Sequence, residues 1–147
     1  MEIHNHECLL CKFFDVSWRK SLPLWIADLT VSSAVLAQNQ ICKGYTILVY
    51  NKAHVTELFQ LDKQDRRAYL EDLTNVAKAI YDAYHPHKMN YELLGNIIHH
   101  LHWHVIPRRR TDSIDLHWPI WGKDYSEVTL SDDEYSKIVC KIRMHLL

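Results

Sequence analysis

Long hydrophobic runs are missing from this 147-residue sequence. No apolar stretch reaches the roughly 18 residues that a transmembrane helix requires, and the first residues are too polar for a signal peptide. Internal repeats, low-complexity tracts and linker-like segments are also lacking. We therefore expect residues 1–147 to form a single domain that has no membrane partner and a cytoplasmic location.

An excess of charge of one sign is missing as well. The sequence has 17 basic and 18 acidic residues and a net charge of −1, which argues against non-specific nucleic-acid binding as its main activity. Cysteine is sparse, with four residues, two of them in the pair Cys8-Leu9-Leu10-Cys11. So few cysteines do not indicate a disulfide scaffold, and they favour an intracellular protein.

The spacing of apolar residues predicts an α+β fold. Apolar runs typical of strands occupy residues 22–28, 31–37 and 44–50, and a histidine-rich strand is expected over residues 100–106. Adjacent strands around one long helix indicate an antiparallel sheet covered by helices.

Two helices carry clear start signals. Asp62 is a good N-cap for the long central helix, which should end before Pro86. Ser131 and Glu134 form a capping-box pattern for a C-terminal helix over residues 132–146. The apolar stripe predicted for the first helix consists of Leu70, Leu73, Val76, Ala77, Ile80 and Tyr84.

What the sequence does have is histidine, and it is concentrated. Four of its 11 histidines lie in residues 99–104 (HHLHWH). His100, His102 and His104 are spaced by two, and Leu101 and Trp103 between them favour β structure. Because successive side chains of a strand point to opposite faces, one face would carry three imidazoles and the other an apolar row.

Three interpretations of that polar face are open. It could be the solvated side of a half-buried strand. It could be a catalytic zinc site in which His100 and His102 share one ion with ligands from elsewhere. It could also be a site of covalent catalysis, in which one imidazole attacks while its neighbours orient it and bind the developing charge.

The string from His100 to Ile106 (HLHWHVI) resembles the histidine-triad (HIT) pattern His-φ-His-φ-His-φ-φ, where φ is apolar, at all seven positions. The flanks resemble a bacterial branch of small histidine-triad hydrolases that is often labelled diadenosine tetraphosphate hydrolase. The matching segments are residues 44–49 (GYTILV), 52–58 (KAHVTEL), 90–96 (NYELLGN), 107–109 (PRR) and 118–121 (WPIW).

The resemblance implies a HIT-like antiparallel sheet of about five strands with a long central helix and a C-terminal helix. It also implies a hydrolase or transferase acting on the α-phosphate of a purine nucleotide conjugate, either a dinucleoside polyphosphate or an AMP phosphoramidate. His102 would be the covalent nucleophile, assisted by His100 and His104, and catalysis would need no cofactor. A nucleotide-binding regulatory protein with little turnover is the alternative.

Further site residues follow from the same resemblance. Asn96 would donate to the α-phosphate, His54 would lie close to the triad, and Asn39 would contact the ribose hydroxyls. The resemblance also implies a homodimer with the long helix and a strand at the interface.

The Cys8–Cys11 pair is a second candidate for chemistry. By resemblance it would hold a structural zinc ion together with His54 and His100, since thiolate and imidazole are the ligands that zinc prefers. Ligation through His4 or His6, a redox dithiol and plain core cysteines are the alternatives.

Two features near the end of the resembling segment remain open. The basic run Arg108-Arg109-Arg110 is interpreted as attracting a polyphosphate tail, with a solvated loop as the alternative. Trp118 and Trp121 could stack on a base or close the site, and a dimer contact and packing within their own loop are the alternatives.

Overall fold

The computed structural model describes residues 7–121 and 125–146, and it is an α+β fold built on a five-stranded antiparallel sheet with strand order β1-β2-β3-β5-β4. No helix in those two segments is long and apolar enough to cross a membrane. The strands are β1 Trp25–Asp28, β2 Ser32–Leu36, β3 Thr46–Tyr50, β4 Lys88–Glu92 and β5 His102–Arg108; the helices are α1 Val16–Ser21, α2 Lys63–Tyr84 and α3 Asp132–His145.

The expected triad strand is present but starts later than the alternation predicts. β5 begins at His102, because the residues before it bond outside the strand ladder: His100 N donates to Ile98 O, and Leu101 N donates to Val55 O. His100 therefore approaches the sheet from a turn.

The long helix α2 begins after Asp62, whose side chain accepts from Asp65 N as an N-cap. The apolar stripe is confirmed for four of its members, which are buried: Leu73, Val76, Ala77 and Ile80. The prediction for Leu70 is wrong, because this side chain is 60% exposed. Tyr69, which is fully buried, takes the inward position one residue earlier, and a neighbouring residue lies about 100° further around a helix.

The C-terminal helix α3 has the predicted capping box at Ser131 and Glu134. Its last turn also protects an edge of the sheet, since the Arg143 guanidinium donates to Trp25 O and Ile26 O of β1. The short helix α1 and the 3-10 helix Leu9–Phe14 before it were not predicted. Both are too short to show a periodic apolar stripe.

The two faces of the sheet bury different cores. Helices α2 and α3 cover one face, where Leu48 and Val105 join the larger apolar cluster. On the other face Tyr45 and Ile106 pack against residues of the loops, including Ile114 and Ile120. Strand pairing sets Ile47 opposite His104 and Val49 opposite His102. Because side chains alternate along a strand, the His102 and His104 side chains belong to this second face.

Candidate active site

His102 and His104 lie side by side on the loop-covered face, with ring centroids 5.0 Å apart. They line a cleft of about 390 Å³ whose other walls are the segment 94–98 and the Trp121 side chain. We call it the triad cleft. Its volume falls in the range of small-molecule sites, and its lining combines apolar side chains with a few polar groups, as such sites usually do.

His102 is held in one protonation pattern by the backbone. Its Nδ1 lies 2.5 Å from the His100 carbonyl oxygen. A carbonyl only accepts, so Nδ1 carries the proton and the lone pair of the neutral ring is on Nε2. Burial lowers the pKa of His102, because a charged ring is poorly solvated there. The ring is therefore neutral near pH 7, with a nucleophilic nitrogen available.

His104 has a different partner. Its Nδ1 lies 2.5 Å from the Tyr45 hydroxyl, and Tyr45 itself is buried in the loop-side core. Burial, with a smaller contribution from His102, lowers the pKa of His104 to about 4. Two adjacent triad histidines are thus both neutral at physiological pH, but each is oriented by its own hydrogen bond.

Trp121 forms the aromatic wall of the triad cleft. Its ring meets the His104 ring edge-on at a centroid distance of 5.3 Å and stacks on Tyr125 at 5.2 Å. The indole N–H donates to the Glu92 carboxylate of β4, and Glu92 is paired with His104 across the sheet. Trp121 therefore contacts both the triad and Tyr125 of the segment that follows it, whereas Trp118 is 67% exposed.

The predicted substrate contacts have different surroundings. Asn96 is exposed and follows Gly95, a turn residue with φ +64°, and both border the triad cleft. The Asn39 amide is instead bonded within the protein: its Nδ2 donates to Tyr125 at 2.5 Å, and its Oδ1 accepts from Val128 N. Asn39 therefore supports the wall behind Trp121, and the expected ribose contact is not the role that its bonds indicate.

The Cys8–Cys11 pair lies against two imidazoles, an arrangement we call the Cys/His cluster. The Cys8 Sγ is 3.4 Å from His100 Nδ1, and the Cys11 Sγ is 3.3 Å from His54 Nδ1. One ligand atom from each of the four residues lies within 4.8 Å of all the others. His54 thus joins the cysteines, not the triad cleft. His4 and His6, the alternative ligands, lie outside the described residues.

The donor set fits a tetrahedral zinc ion, with two sulfur and two nitrogen donors. His100 is oriented for this role because its Nε2 donates to the Tyr50 carbonyl at 2.8 Å, which leaves the Nδ1 lone pair facing the thiols. Metal-ligating histidines commonly donate their second ring nitrogen to a carbonyl in this way. Burial lowers the pKa of His100 to about 4, so the ring is in the neutral form that binds metal.

This geometry argues against the catalytic zinc interpretation. An ion shared by His100 and His102 needs a ring nitrogen of each pointing to a common centre. Both nitrogens of His100 are already engaged, one by Tyr50 O and one by the cysteine side. The two histidines are neighbours in the motif but belong to different sites.

The interpretation of the basic run as a polyphosphate attractor is wrong for Arg108. This side chain is fully buried and organises the loop after β5, donating to Ile114 O, Asp115 O and Trp118 O. Nearby, the Arg109 guanidinium lies 5.4 Å from the Tyr84 ring centroid. Sequence reasoning did not anticipate Arg108 because an arginine is rarely buried unless its donors find acceptors, which a loop fold provides.

Tyr45 and Glu92 were also missed by sequence reasoning. Tyr45 directly precedes β3, and Glu92 ends β4. The available signal was their position inside the segments 44–49 and 90–96 that resemble the family, since neither residue type is diagnostic there.

Strand β5, second from one edge of the five-stranded antiparallel sheet, carries histidines at alternate positions. This combination defines the class of histidine-triad folds. The HIT domain family matches residues 26–111, more than half of the sequence. The chain belongs to the HIT domain family.

Individual relatives agree with that assignment. The "Protein hit" of Bacillus subtilis (strain 168) is 29% identical over 105 residues, which cover 67% of this chain and 72% of that protein. The crystal structure of a histidine triad (HIT) protein from Sinorhizobium meliloti 1021 is similar with a TM-score of 0.74 and 27% identity, covering 83% of this chain and 88% of that one. A Zn-bound histidine triad family protein from Mycobacterium smegmatis shares the fold with a TM-score of 0.66 and 16% identity, covering 95% and 92% of the two chains.

Proposed function

We propose that this protein is a nucleotide hydrolase that attacks the α-phosphate of a nucleoside phosphate conjugate through His102. The observation that carries the proposal is the Nδ1–H bond from His102 to the His100 carbonyl. It leaves Nε2 unprotonated on a ring that lines the triad cleft. An oriented, neutral imidazole is a good nucleophile toward phosphorus at physiological pH.

The reaction balances as two displacements. In the first, His102 Nε2 forms a bond to phosphorus, and the bond from phosphorus to the leaving oxygen or nitrogen breaks with its electron pair. The ring then carries positive charge, which the His100 carbonyl stabilises through Nδ1–H. In the second, water forms a bond to phosphorus and the Nε2–P bond breaks. The leaving group takes its proton from solvent in the first displacement. In the second, the nucleoside monophosphate is released with one proton of the water, and the other proton returns to solvent.

The substrate is a purine nucleotide conjugate, and the surroundings of the cleft favour a neutral or cationic leaving group. Arg108, the first residue of the basic run, is used inside its loop. The Glu92 carboxylate accepts from the indole N–H of Trp121, a wall of the cleft, where it would repel a polyphosphate and attract an amine. An AMP phosphoramidate is therefore favoured over diadenosine tetraphosphate, the substrate implied by the bacterial branch.

We propose that the Cys/His cluster holds a structural zinc ion and that catalysis needs no metal. Bound there, zinc would join the N-terminal segment to the sheet through Cys8, Cys11, His54 and His100. The closed set of four protein donors supports this, since catalytic zinc sites keep a position for water or substrate. Thiolate ligands persist in a reducing compartment, which favours the cytoplasm.

We also propose a single-domain protomer that forms a homodimer through β4 and α2. β4 is an edge of the sheet, and an unpaired edge strand offers backbone groups to a second chain. Tyr91 on β4 and Leu70 on α2 are 47% and 60% exposed. Sedimentation of the wild type and of Tyr91→Lys tests this: a monomeric wild type would contradict it.

The test of the catalytic proposal compares the wild type with His102→Asn on an AMP phosphoramidate and on diadenosine tetraphosphate. We expect release of AMP by the wild type, a fall of at least about 10³-fold in turnover for the variant, and an intact mass that shows a nucleotidyl adduct only in the wild type. His99→Ala is the matched control, because His99 is an exposed histidine of the same run.

Two results would contradict the proposal. Turnover that persists in folded His102→Asn would exclude His102 as the nucleophile. Tight binding of AMP without turnover of either conjugate would favour the alternative, a nucleotide-binding regulatory protein.

A further inference from the structure

We propose that Tyr45 is a positioning residue that holds His104 in the Nε2–H tautomer, so that His104 presents a hydrogen-bond donor to the phosphate bound in the triad cleft. The inference rests on the proposed function, because it assigns His104 a task in the same reaction. It concerns the proton on one ring nitrogen, which can be measured whether or not the protein turns over.

The Tyr45 ring and backbone are both held by contacts within the protein. It is 3% exposed and packs within the loop-side core. Its backbone N donates to Cys42 O at 3.0 Å, and its carbonyl accepts from Ala37 N at 2.9 Å. A side chain fixed at both its backbone and its ring has little freedom to leave its partner. Its hydroxyl therefore defines the position of His104 Nδ1, 2.5 Å away.

The direction of this hydrogen bond follows from the chemistry of the two groups. Burial raises the pKa of Tyr45 well above its usual value, so the phenol keeps its proton. Its hydroxyl contacts His104 Nδ1. A phenol is a stronger acid than a neutral imidazole N–H, and an imidazole lone pair is a stronger acceptor than a phenol oxygen, so the hydroxyl donates and Nδ1 accepts. The neutral His104 ring then carries its proton on Nε2.

His102 shows the opposite arrangement two residues earlier. There a backbone carbonyl, which can only accept, forces the proton onto Nδ1. The two rings are 5.0 Å apart, so one presents a lone pair and its neighbour presents an N–H to the same cleft. A phosphorus centre attacked by His102 develops negative charge on its oxygens, and a fixed N–H beside it stabilises that charge without transferring a proton.

The tautomers can be read directly from long-range proton–nitrogen correlation NMR of histidine-labelled protein at pH 7, with His104→Asn used to assign the signals. We expect the Nε2–H pattern for His104 and the Nδ1–H pattern for His102 in the wild type. An Nδ1–H pattern for His104 in the wild type would overturn the proposal without any variant.

Tyr45→Phe keeps the ring and removes the hydroxyl. We expect the His104 signals of this variant to shift toward a mixture of tautomers. We also expect kcat to fall about 10-fold with little change in KM, less than the roughly 10²-fold lost when a fixed donor is removed, because His104 itself is still present. Tyr135→Phe is the matched control, since Tyr135 is also buried and its hydroxyl donates to Gln38 O at 2.6 Å, outside the triad run.

The outcomes separate the two proposals. A folded Tyr45→Phe protein whose His104 keeps a pure Nε2–H pattern would show that Tyr45 does not set the tautomer. A wild type with the expected tautomers but no turnover would contradict the proposed function and leave the role of Tyr45 intact.

Discussion

The Cys/His cluster and the triad cleft use histidines of one short run in different ways. His100 engages both of its ring nitrogens within the protein, one with the Tyr50 carbonyl and one with the cysteine thiols. His102 and His104 each have a protein partner at Nδ1, and their rings line the cleft. A motif that looks uniform in sequence therefore divides into a residue suited to structure and two residues suited to chemistry.

The partner of the second ring nitrogen decides what each imidazole can do. A carbonyl at Nε2 prepares His100 to bind a metal at Nδ1, a carbonyl at Nδ1 prepares His102 to attack through Nε2, and a phenol orients His104. Burial lowers the pKa of all three rings. It therefore keeps them neutral but does not distinguish them.

The largest expected effect, on zinc content and Tm, comes from removing one ligand of the Cys/His cluster. Cys11→Ala removes one of the four donors, so we expect the zinc content of the purified protein to fall from near one ion per chain to near zero. Because metal binding contributes directly to folding, the Tm should drop by about 10 °C or more. Metal analysis and calorimetry measure both quantities.

Cys42→Ala is the control for that experiment. Cys42 is also buried, but it faces Asp112, and burial raises its thiol pKa to about 12. We expect this variant to retain its zinc. Equal zinc contents in the two variants and the wild type would contradict the proposed metal site.

A smaller effect is expected in the pH dependence of the Tm, to which His104 of the triad cleft contributes. The folded pKa of about 4 lies below the usual 6.5, so the folded state binds fewer protons than the unfolded state at intermediate pH. The contribution of this group to stability is therefore fully present above pH 6.5 and is lost as the pH falls toward about 4. The Tm of the wild type should decline across this window.

His104→Asn provides the necessary comparison, because it removes one titrating ring and leaves the cluster in place. Its Tm should decline less steeply between pH 6.5 and 4 than that of the wild type. Parallel curves for the two proteins would mean that His104 does not contribute to the acid sensitivity.

The smallest expected effect concerns the aromatic wall of the cleft. Trp121→Ala removes a ring that contacts His104 and stacks on Tyr125. We expect KM for the nucleotide to rise about 3- to 10-fold, the range for one aromatic contact, with the zinc content unchanged. Trp118→Ala, at an exposed position of the same loop, should leave KM near the wild-type value.

Several parts of the fold and the site were predictable because they depend on neighbouring residues in the chain. The caps of α2 and α3 are examples, since Asp62 and Ser131 bond to groups three residues away. The alternation around His102 is another, because it requires only that the segment be extended. The boundary of β5 was less predictable, since Leu101 is diverted by a bond to Val55.

The predictions that were wrong concern residues whose surroundings depend on distant parts of the chain. Leu70 fits the helical period as well as Tyr69 does, and only the packing of α2 on the sheet selects between them. The basic run looked like an anion site, but the loop after β5 folds its carbonyls around Arg108. Neither the exposure of Leu70 nor the burial of Arg108 can be predicted from the neighbouring residues in the sequence.

The caps of the two long helices, four of the five strands and the spacing of the triad could be predicted from the sequence, because they follow from local hydrogen bonds and from the periods of helix and strand. β4, over Lys88–Glu92, was not among the predicted strands. Only the tertiary structure decided which nitrogen of each histidine is available. The relevant contacts join Cys8 to His100 and Tyr45 to His104, pairs separated by 92 and 59 positions. Partners so distant in the chain meet only when the sheet is assembled, and they assign one histidine to the cluster and two to the cleft.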